Sequence, residues 1–187
     1  WFGPFTERPG AVLRGTSDLE APWSGVSSAQ LIGRALAGGD VDGDGMADLA
    51  IGNPDEDTVY VAGGSTGSWG ATVDQAVASL TGTAGSTLGA SVLLQDLDGD
   101  GYDELMAGAP EDDTAGNGHG LVVAVSGDAV VGGALTVASD ADLQLSGPTA
   151  PILGASSTAT WASPRAGVAI AAGDVDGAGY NDLLVGA

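Results

Sequence analysis

Oxygen-bearing groups that could bind a metal ion recur at alternate positions in three short segments of this chain. The predicted ligands are the side chains of Asp40, Asp42, Asp44 and Asp48 with the Met46 carbonyl; those of Asp96, Asp98, Asp100 and Glu104 with the Tyr102 carbonyl; and those of Asp174, Asp176 and Asp182 with the Tyr180 carbonyl. Ca²⁺ binds roughly six to eight oxygens, and short acidic loops supply them from alternate positions, with a glycine where the chain turns most tightly. Gly45 and Gly101 stand at that position. The spacing therefore predicts calcium loops, called here the first (40–48), second (96–104) and third (174–182) loops.

The ligand types indicate which metal is expected. Zinc and copper favour nitrogen and sulfur, whereas an oxygen-only, flexible, multidentate set suits calcium better than magnesium. Glu104 is longer than aspartate, and we expect it still to reach the ion. In the third loop Ala178 replaces the middle carboxylate. We therefore expect two strong Ca²⁺ sites and a third that is weaker or uses a water in the gap.

Simple turns and EF-hands use the same residue types as these loops. Aspartate and glycine are ordinary turn formers, but three copies in one register favour a shared ligand set. An EF-hand needs an acidic residue at the twelfth position and flanking helices, whereas Ile51, Ala107 and Val185 stand there. The ions are therefore expected to staple hairpins rather than to drive a helical sensor.

Each loop lies between two short apolar runs of strand length. The runs before the loops are 35–37, 91–94 and 168–172, and the runs after them are 49–51, 105–107 and 183–185. Glycines bound these runs, which predicts a hairpin of strand, Asp loop and strand in each copy. The spacing from a leading glycine to the loop, and from the loop to a trailing glycine, is the same in all three copies. The chain is therefore an internal repeat.

Further runs complete the repeat unit. Third runs (58–62 and 121–126) and fourth runs (77–80 and 143–145) follow the first two hairpins, and a Leu-x-Gly signature ends the fourth. The prediction is an all-β chain of four-stranded units, because no segment has sustained helical periodicity. The expected divisions are 1–30 (the last strand of a preceding unit plus a linker), 31–86, 87–165 with an inserted loop, and 166–187 (the first half of a further unit). The register of residues 148–166 stays open.

Composition excludes several classes of function. The net charge is −21, with four arginines and no lysine, so the chain lacks the basic surface that nucleic acid requires. No apolar stretch approaches the roughly 20 residues of a membrane helix, and we expect a soluble domain without membrane insertion. The absence of cysteine excludes disulfides, thiolate metal sites and a cysteine nucleophile. The chain opens at Trp1, so a secretion signal has been removed or the numbering starts inside a longer protein.

The order of signature residues resembles a known family. Ile32-Gly33, the first loop and Ile51-Gly52-Asn53-Pro54 recur as Leu88-Gly89, the second loop and Ala107-Gly108-Ala109-Pro110. From about Leu31 onward this closely resembles the FG-GAP repeat of integrin α-subunit β-propellers and of many secreted bacterial proteins. The resemblance implies four-stranded antiparallel propeller blades, about three of them here, with calcium in the turn between the first two strands. Ile32, Leu88 and Ala166 replace the family's Phe.

A propeller must close to protect its edge strands. Three blades do not complete a ring, so either this chain is a segment of a larger propeller or copies associate to finish it. We favour the segment.

We expect no enzyme and assign no catalytic residue. The run Gly63 to Gly67 fits a nucleophile elbow but precedes no helix, and His119 lies in a glycine-rich run typical of a solvated turn. Glu111, Asp112 and Asp113 are interpreted as a charged rim. With its counterpart 55–57, this rim could also help to bind calcium or face a partner.

The expected function is a non-enzymatic, calcium-binding extracellular module for adhesion, protein interaction or surface assembly, secreted or at the cell surface. Loops of this kind fill at the millimolar calcium of that compartment. The alternative is a carbohydrate-binding, lectin-like propeller, alone or attached to a catalytic domain outside this chain. Trp1, Trp23, Trp69 and Trp161 could stack on sugars or anchor a protein partner, so the predicted partner is a protein or a glycan. Self-association, or the remainder of a longer chain, is the further predicted partner.

Overall fold

Antiparallel β-sheets are the main secondary structure of the described residues. The computed structural model describes residues 32–64, 76–114, 118–131, 133–147 and 165–187. The prediction of an all-β fold built from FG-GAP-type blades is confirmed, although the described sheets do not close into a ring. Each Asp loop joins the first two strands of its sheet, as the hairpin pattern predicts.

The first sheet contains four antiparallel strands in chain order and a fifth strand from further along the chain. Its strands are β1 (Leu36–Gly39), β2 (Asp48–Asn53), β3 (Thr58–Ala62), β4 (Ala78–Thr81) and β8 (Ala134–Thr136). In the hairpin, Leu36 pairs with Ile51 and Gly39 with Asp48. The fifth strand pairs parallel to β4, with Leu80 opposite Leu135. This parallel strand was not predicted, and it ties the segment after β7 back onto the first blade.

The second sheet has four antiparallel strands, and the third has two. The second contains β5 (Ser91–Gln95), β6 (Glu104–Ala109), β7 (Leu121–Val125) and β9 (Leu143–Ser146), and the third contains β10 (Ala169–Gly173) and β11 (Asp182–Gly186). Two single-turn helices, α1 (Gly127–Val130) and α2 (Val137–Asp140), lie on either side of β8. The same hairpin geometry therefore occurs three times.

One cluster of buried apolar side chains spans the first and second sheets. Val59 and Leu80 of the first sheet and Val123 of the second are fully buried, at 0% exposure. All residues of β6 and β7 are buried, so their sequences are continuous rather than alternating hydrophobic segments. In contrast, no residue of β10 or β11 is buried.

The signature glycines bring neighbouring sheets into backbone contact. A Cβ placed on Gly52 would lie 2.1 Å from the carbonyl oxygen of Gly89, and one on Gly108 would lie 2.1 Å from that of Gly167. Only glycine permits such an approach. The Ser91 hydroxyl adds a hydrogen bond of 2.7 Å to the Gly167 carbonyl. A glycine near the end of the second strand of one blade thus contacts the leading glycine of the next blade.

Several predictions fall outside the described residues. The four tryptophans, most of the inserted loop (148–164), the preceding strand in 1–30 and Ser65 of the elbow pattern are among them. The division of the chain at residues 30, 86 and 165 stays a prediction. Within the described ranges, no helix is both long and apolar enough to span a membrane.

Candidate metal centre

Each Asp loop brings three carboxylate groups together. The clusters are Asp40, Asp42 and Asp48; Asp96, Asp98 and Glu104; and Asp174, Asp176 and Asp182, and one oxygen from each member lies within 4.8 Å of the others in its cluster. They come from the first, third and ninth positions of each loop. The shared register of the sequence is therefore a shared geometry.

A glycine amide holds the first aspartate of each loop. The donors are Gly45 to Asp40 Oδ2 at 2.8 Å, Gly101 to Asp96 Oδ2 at 3.1 Å and Gly179 to Asp174 Oδ2 at 3.0 Å. These glycines have φ of 83°, 93° and 93°, a left-handed conformation that side chains resist. The predicted turn position of Gly45 and Gly101 is thus where the structure needs a glycine.

The last acidic residue of each loop is held by the amide of the second position. Val41 N–H donates to Asp48 at 2.8 Å, Leu97 N–H to Glu104 at 2.7 Å and Val175 N–H to Asp182 at 2.9 Å. Glu104 therefore accepts the same amide as the aspartates do, and its contact with an ion stays a prediction. This bond closes the loop across the base of the hairpin.

The fifth position of the first two loops also carries an aspartate. Asp44 and Asp100 lie outside the three-carboxylate clusters, and each accepts the N–H two residues on, from Met46 at 2.7 Å and Tyr102 at 2.9 Å. Ala178 is their counterpart, yet the third loop keeps its three-carboxylate cluster. Ligation by Asp44, by Asp100 and by the carbonyls of Met46, Tyr102 and Tyr180 stays a prediction.

One carboxylate oxygen in the second loop has no hydrogen-bond partner. Glu104 is 7% exposed, its Oε2 accepts the Leu97 N–H, and its Oε1 is buried without a donor. Burial and the carboxylates of Asp98, Asp100 and Asp96 raise the pKa of Glu104. A buried anionic oxygen facing other anions is costly unless a cation is bound. The donor set and this orphaned oxygen therefore fit a hard divalent cation such as Ca²⁺.

The first loop shows the same electrostatic conflict. Partial removal from water, and the carboxylates of Asp48, Asp44 and Asp40, raise the pKa of Asp42, while a hydrogen bond from the Asp44 amide opposes the shift. Asp48 is buried at 2% exposure. Asp174 and Asp176 of the third loop are exposed, so water screens that cluster more strongly. This difference agrees in direction with a weaker third site.

The acidic rim holds turns of its own. Asp57 accepts the amides of Gly85 at 2.7 Å and Thr87 at 2.6 Å, and Asp112, only 2% exposed, accepts the Thr114 amide at 2.9 Å. Carboxylates saturated by backbone donors in this way organise connections between strands. They do not join the clusters of the three loops.

The rim also borders a cleft that contains both described arginines. Arg34 and Arg165 line a cavity of about 260 Å³ together with Asp55 and Glu111, and Arg165 forms an ion pair with Glu111. Positive and negative groups from the segments around all three sheets thus meet in this cleft.

Two side chains that the sequence prediction did not include link the loops to one another. Asp103 accepts the Asp40 N–H at 2.8 Å, and Asn181 donates to the Asp96 carbonyl at 2.8 Å. Both occupy the eighth position of their loops. A polar residue at that position in two loops was the available signal, but it falls outside the alternating pattern that predicts ligands.

Comparison with protein families agrees with this geometry. Residues 32–72, which contain the first loop, match the family model described as the FG-GAP repeat. Such a repeat indicates an extracellular protein-interaction module as the general class of function. Residues 32–72 of the chain are thus similar to an FG-GAP repeat.

Proposed function

We propose that this chain is a calcium-stabilised extracellular module that binds other proteins, in adhesion or in surface assembly, and that it performs no catalysis itself. The observation that carries the proposal is the buried, unpartnered Glu104 Oε1 within the second cluster. The Glu104 carboxylate lies beside the carboxylates of Asp96 and Asp98. Leaving a buried polar atom unpaired costs about 1–3 kcal/mol, and a bound cation would offset that cost.

Three carboxylates in each loop would hold the ion, and the predicted carbonyls would add to them. The ion supplies positive charge that offsets the repulsion among the carboxylates and cross-links the two ends of the loop. Asp96 precedes β6 by one loop length, and Glu104 begins β6, so a shared ion would fix the hairpin that these strands form. The expected role of calcium is therefore structural.

Rigid blades suit a binding role, because loops held on a stiff sheet lose less freedom when a partner binds. With a net charge of −21, the acidic groups of the calcium-free chain repel one another. Bound calcium would reduce this repulsion and make the binding surface rigid. Millimolar calcium outside the cell would fill such loops. These arguments support an extracellular compartment and a protein partner. The four tryptophans that could favour a glycan partner lie outside the described residues.

Calorimetric titration of the chelator-treated chain tests the calcium step. We expect Ca²⁺ to bind and to raise the melting temperature, and Mg²⁺ at equal concentration to do so less. Asp98→Ala should remove one binding event, whereas Asp140→Asn, which removes a charge outside the loops, should leave all of them. A melting temperature that is the same in excess chelator and in millimolar calcium would overturn the proposal.

The binding role needs a separate experiment. The calcium-loaded chain is immobilised and exposed to extracellular-matrix proteins and, in parallel, to a glycan array, each with and without chelator. Calcium-dependent capture of a protein supports the proposed class. Capture confined to glycans would replace it with the lectin-like alternative.

A further inference from the structure

The second loop fixes the main chain of the first loop. Asp103 Oδ2 accepts the N–H of Asp40 at 2.8 Å, and the N–H of Asp103 donates to the Asp40 carbonyl at 2.8 Å. Asp40 supplies a carboxylate to the first cluster. The amide and carbonyl of one candidate ligand residue are thus both bound by a single residue of the neighbouring blade.

The third loop makes the corresponding contact to the second. Asn181 Nδ2 donates to the carbonyl of Asp96 at 2.8 Å, and Asp96 is the first acidic residue of its cluster. Asp103 and Asn181 differ in chemistry, since one accepts and the other donates. Both nevertheless act on the first aspartate of the preceding loop, so the arrangement repeats.

Aromatic rings from the following loop cover a glycine of the preceding one. A Cβ on Gly43 would lie 2.8 Å from Cε1 of Tyr102, and a Cβ on Gly99 would lie 3.5 Å from Cε1 of Tyr180. The carbonyls of these tyrosines are predicted ligands of their own loops. Each tyrosine therefore belongs to one loop through its main chain and packs on another through its ring.

Asp103 lies between two residues that calcium in the second loop would hold, Tyr102 and Glu104. Binding there would order the segment that carries the Asp103 carboxylate and the Tyr102 ring. Those groups would then present Asp40 and Gly43 in a conformation ready to bind. A loop that is already ordered loses less conformational entropy when its own ion binds. This difference is a positive coupling between the two sites.

We propose that each Asp loop is positioned by the loop that follows it, so that calcium in the second loop raises the calcium affinity of the first, and calcium in the third raises that of the second. The inference rests on the proposed calcium binding. The side chains of Asp103, Tyr102 and Asn181 act in it as positioning groups for the preceding loop, while the Tyr102 carbonyl stays a predicted ligand of its own loop.

Amide resonances of Gly45, Gly101 and Gly179 allow each loop to be observed separately, because each N–H binds the first aspartate of its own loop. Calcium is titrated into the ¹⁵N-labelled chain, and the midpoint of each glycine shift is measured. Asp98→Ala alters the second loop and no contact described for the first. We expect this variant to move the Gly45 midpoint about two- to tenfold higher. Because the coupling free energy is reciprocal, Asp42→Ala should move the Gly101 midpoint in the same direction.

The positioning role of Asp103 is tested by its own pair of variants. Asp103→Ala should raise the Gly45 midpoint by a similar factor, whereas Asp103→Asn keeps an oxygen that can accept the Asp40 N–H and should stay close to wild type. Asp140→Asn serves as the control for loss of charge. If Asp103→Ala fails to fold, the Asp98→Ala and Asp103→Asn titrations still decide the question.

The outcomes separate the two proposals. If no glycine shifts with calcium in the wild-type chain, the proposed function itself fails. If all three shift but Asp98→Ala leaves the Gly45 midpoint unchanged or lowers it, calcium binding stands and the coupling is refuted.

Discussion

Replacing Glu104 by glutamine should change stability in opposite directions with and without calcium. In chelator, the variant loses the charge on an oxygen that is buried, unpartnered and close to the carboxylates of Asp96 and Asp98. The amide of glutamine can donate to those carboxylates, while its oxygen keeps the bond from the Leu97 N–H. Satisfying this buried polar group contributes about 1–2 kcal/mol. A domain of this size gains about 2–4 °C per kcal/mol, so the apo variant should melt about 2–8 °C higher.

In calcium the sign reverses, because the variant lacks one anionic ligand. If its calcium affinity falls about a hundredfold, saturating conditions stabilise it about 2.7 kcal/mol less than wild type. Set against the apo gain of about 1–2 kcal/mol, this leaves the loaded variant about 1–2 kcal/mol less stable. The loaded variant should therefore melt a few degrees below wild type.

Differential scanning calorimetry of both chains in excess chelator and in millimolar calcium measures the two effects in one experiment. Asp140→Asn is the matched control, since it also removes one negative charge but lies in α2, away from the clusters. Its change in melting temperature should be small and of the same sign in both buffers. If Glu104→Gln destabilises the chain equally in both buffers, the inference that a cation binds at Glu104 Oε1 is refuted.

Four further results are expected. Gly52→Ala should lower the free energy of unfolding by about 1–3 kcal/mol or more through overpacking, because its Cβ would meet the Gly89 carbonyl. Gly173→Ala is the control: a Cβ there has nothing within 4 Å, so the variant should be near neutral in urea unfolding. Equal effects of the two variants would contradict the contact between blades. Leu80 is at 0% exposure, so Leu80→Ala should lower the free energy of unfolding by about 2–5 kcal/mol. Leu143 is at 39% exposure, so Leu143→Ala should lower it by less than about 1 kcal/mol. The reverse order would disprove the core assignment. In chelator, the pKa values of Asp42 and Glu104 are raised in the folded chain, so the folded chain binds these protons more tightly than the unfolded chain. The melting temperature should therefore rise as pH falls from neutral toward those pKa values. A melting temperature that falls over that range would contradict the raised pKa values. In calcium, the melting temperature should instead fall as pH falls, since protons displace the ion from its carboxylates. A pH dependence that is the same with and without calcium would contradict metal binding by these carboxylates.

Local sequence patterns predicted the hairpins because their causes are local. The apolar runs before and after each loop, bounded by glycine, correspond to β1 and β2, to β5 and β6, and to β10 and β11. The recurring Gly45 and Gly101 marked left-handed turns for the same reason. An all-β fold follows from such signals alone, since no run has helical periodicity.

Contacts between blades were beyond the reach of those patterns. The bond from Asp40 to Asp103 joins residues 63 positions apart, and β8 pairs with a strand of the previous blade without any alternation of its own. Asp44 and Asp100 stay predicted ligands, because residue spacing does not reveal which way a side chain turns. Their local hydrogen bonds to Met46 and Tyr102 are a competing use of the same carboxylate.

The position of the loops explains why metal sites and blade contacts share residues. Each loop emerges between the first two strands of its sheet, and beside the first loop a Cβ on Gly39 would lie 2.6 Å from the Cβ of Leu94 in the neighbouring blade. A residue at the base of one loop, such as Asp103, is consequently within reach of the loop before it. An ion that stiffens one hairpin must therefore also stiffen the junction to its neighbour, because the same short segment forms both.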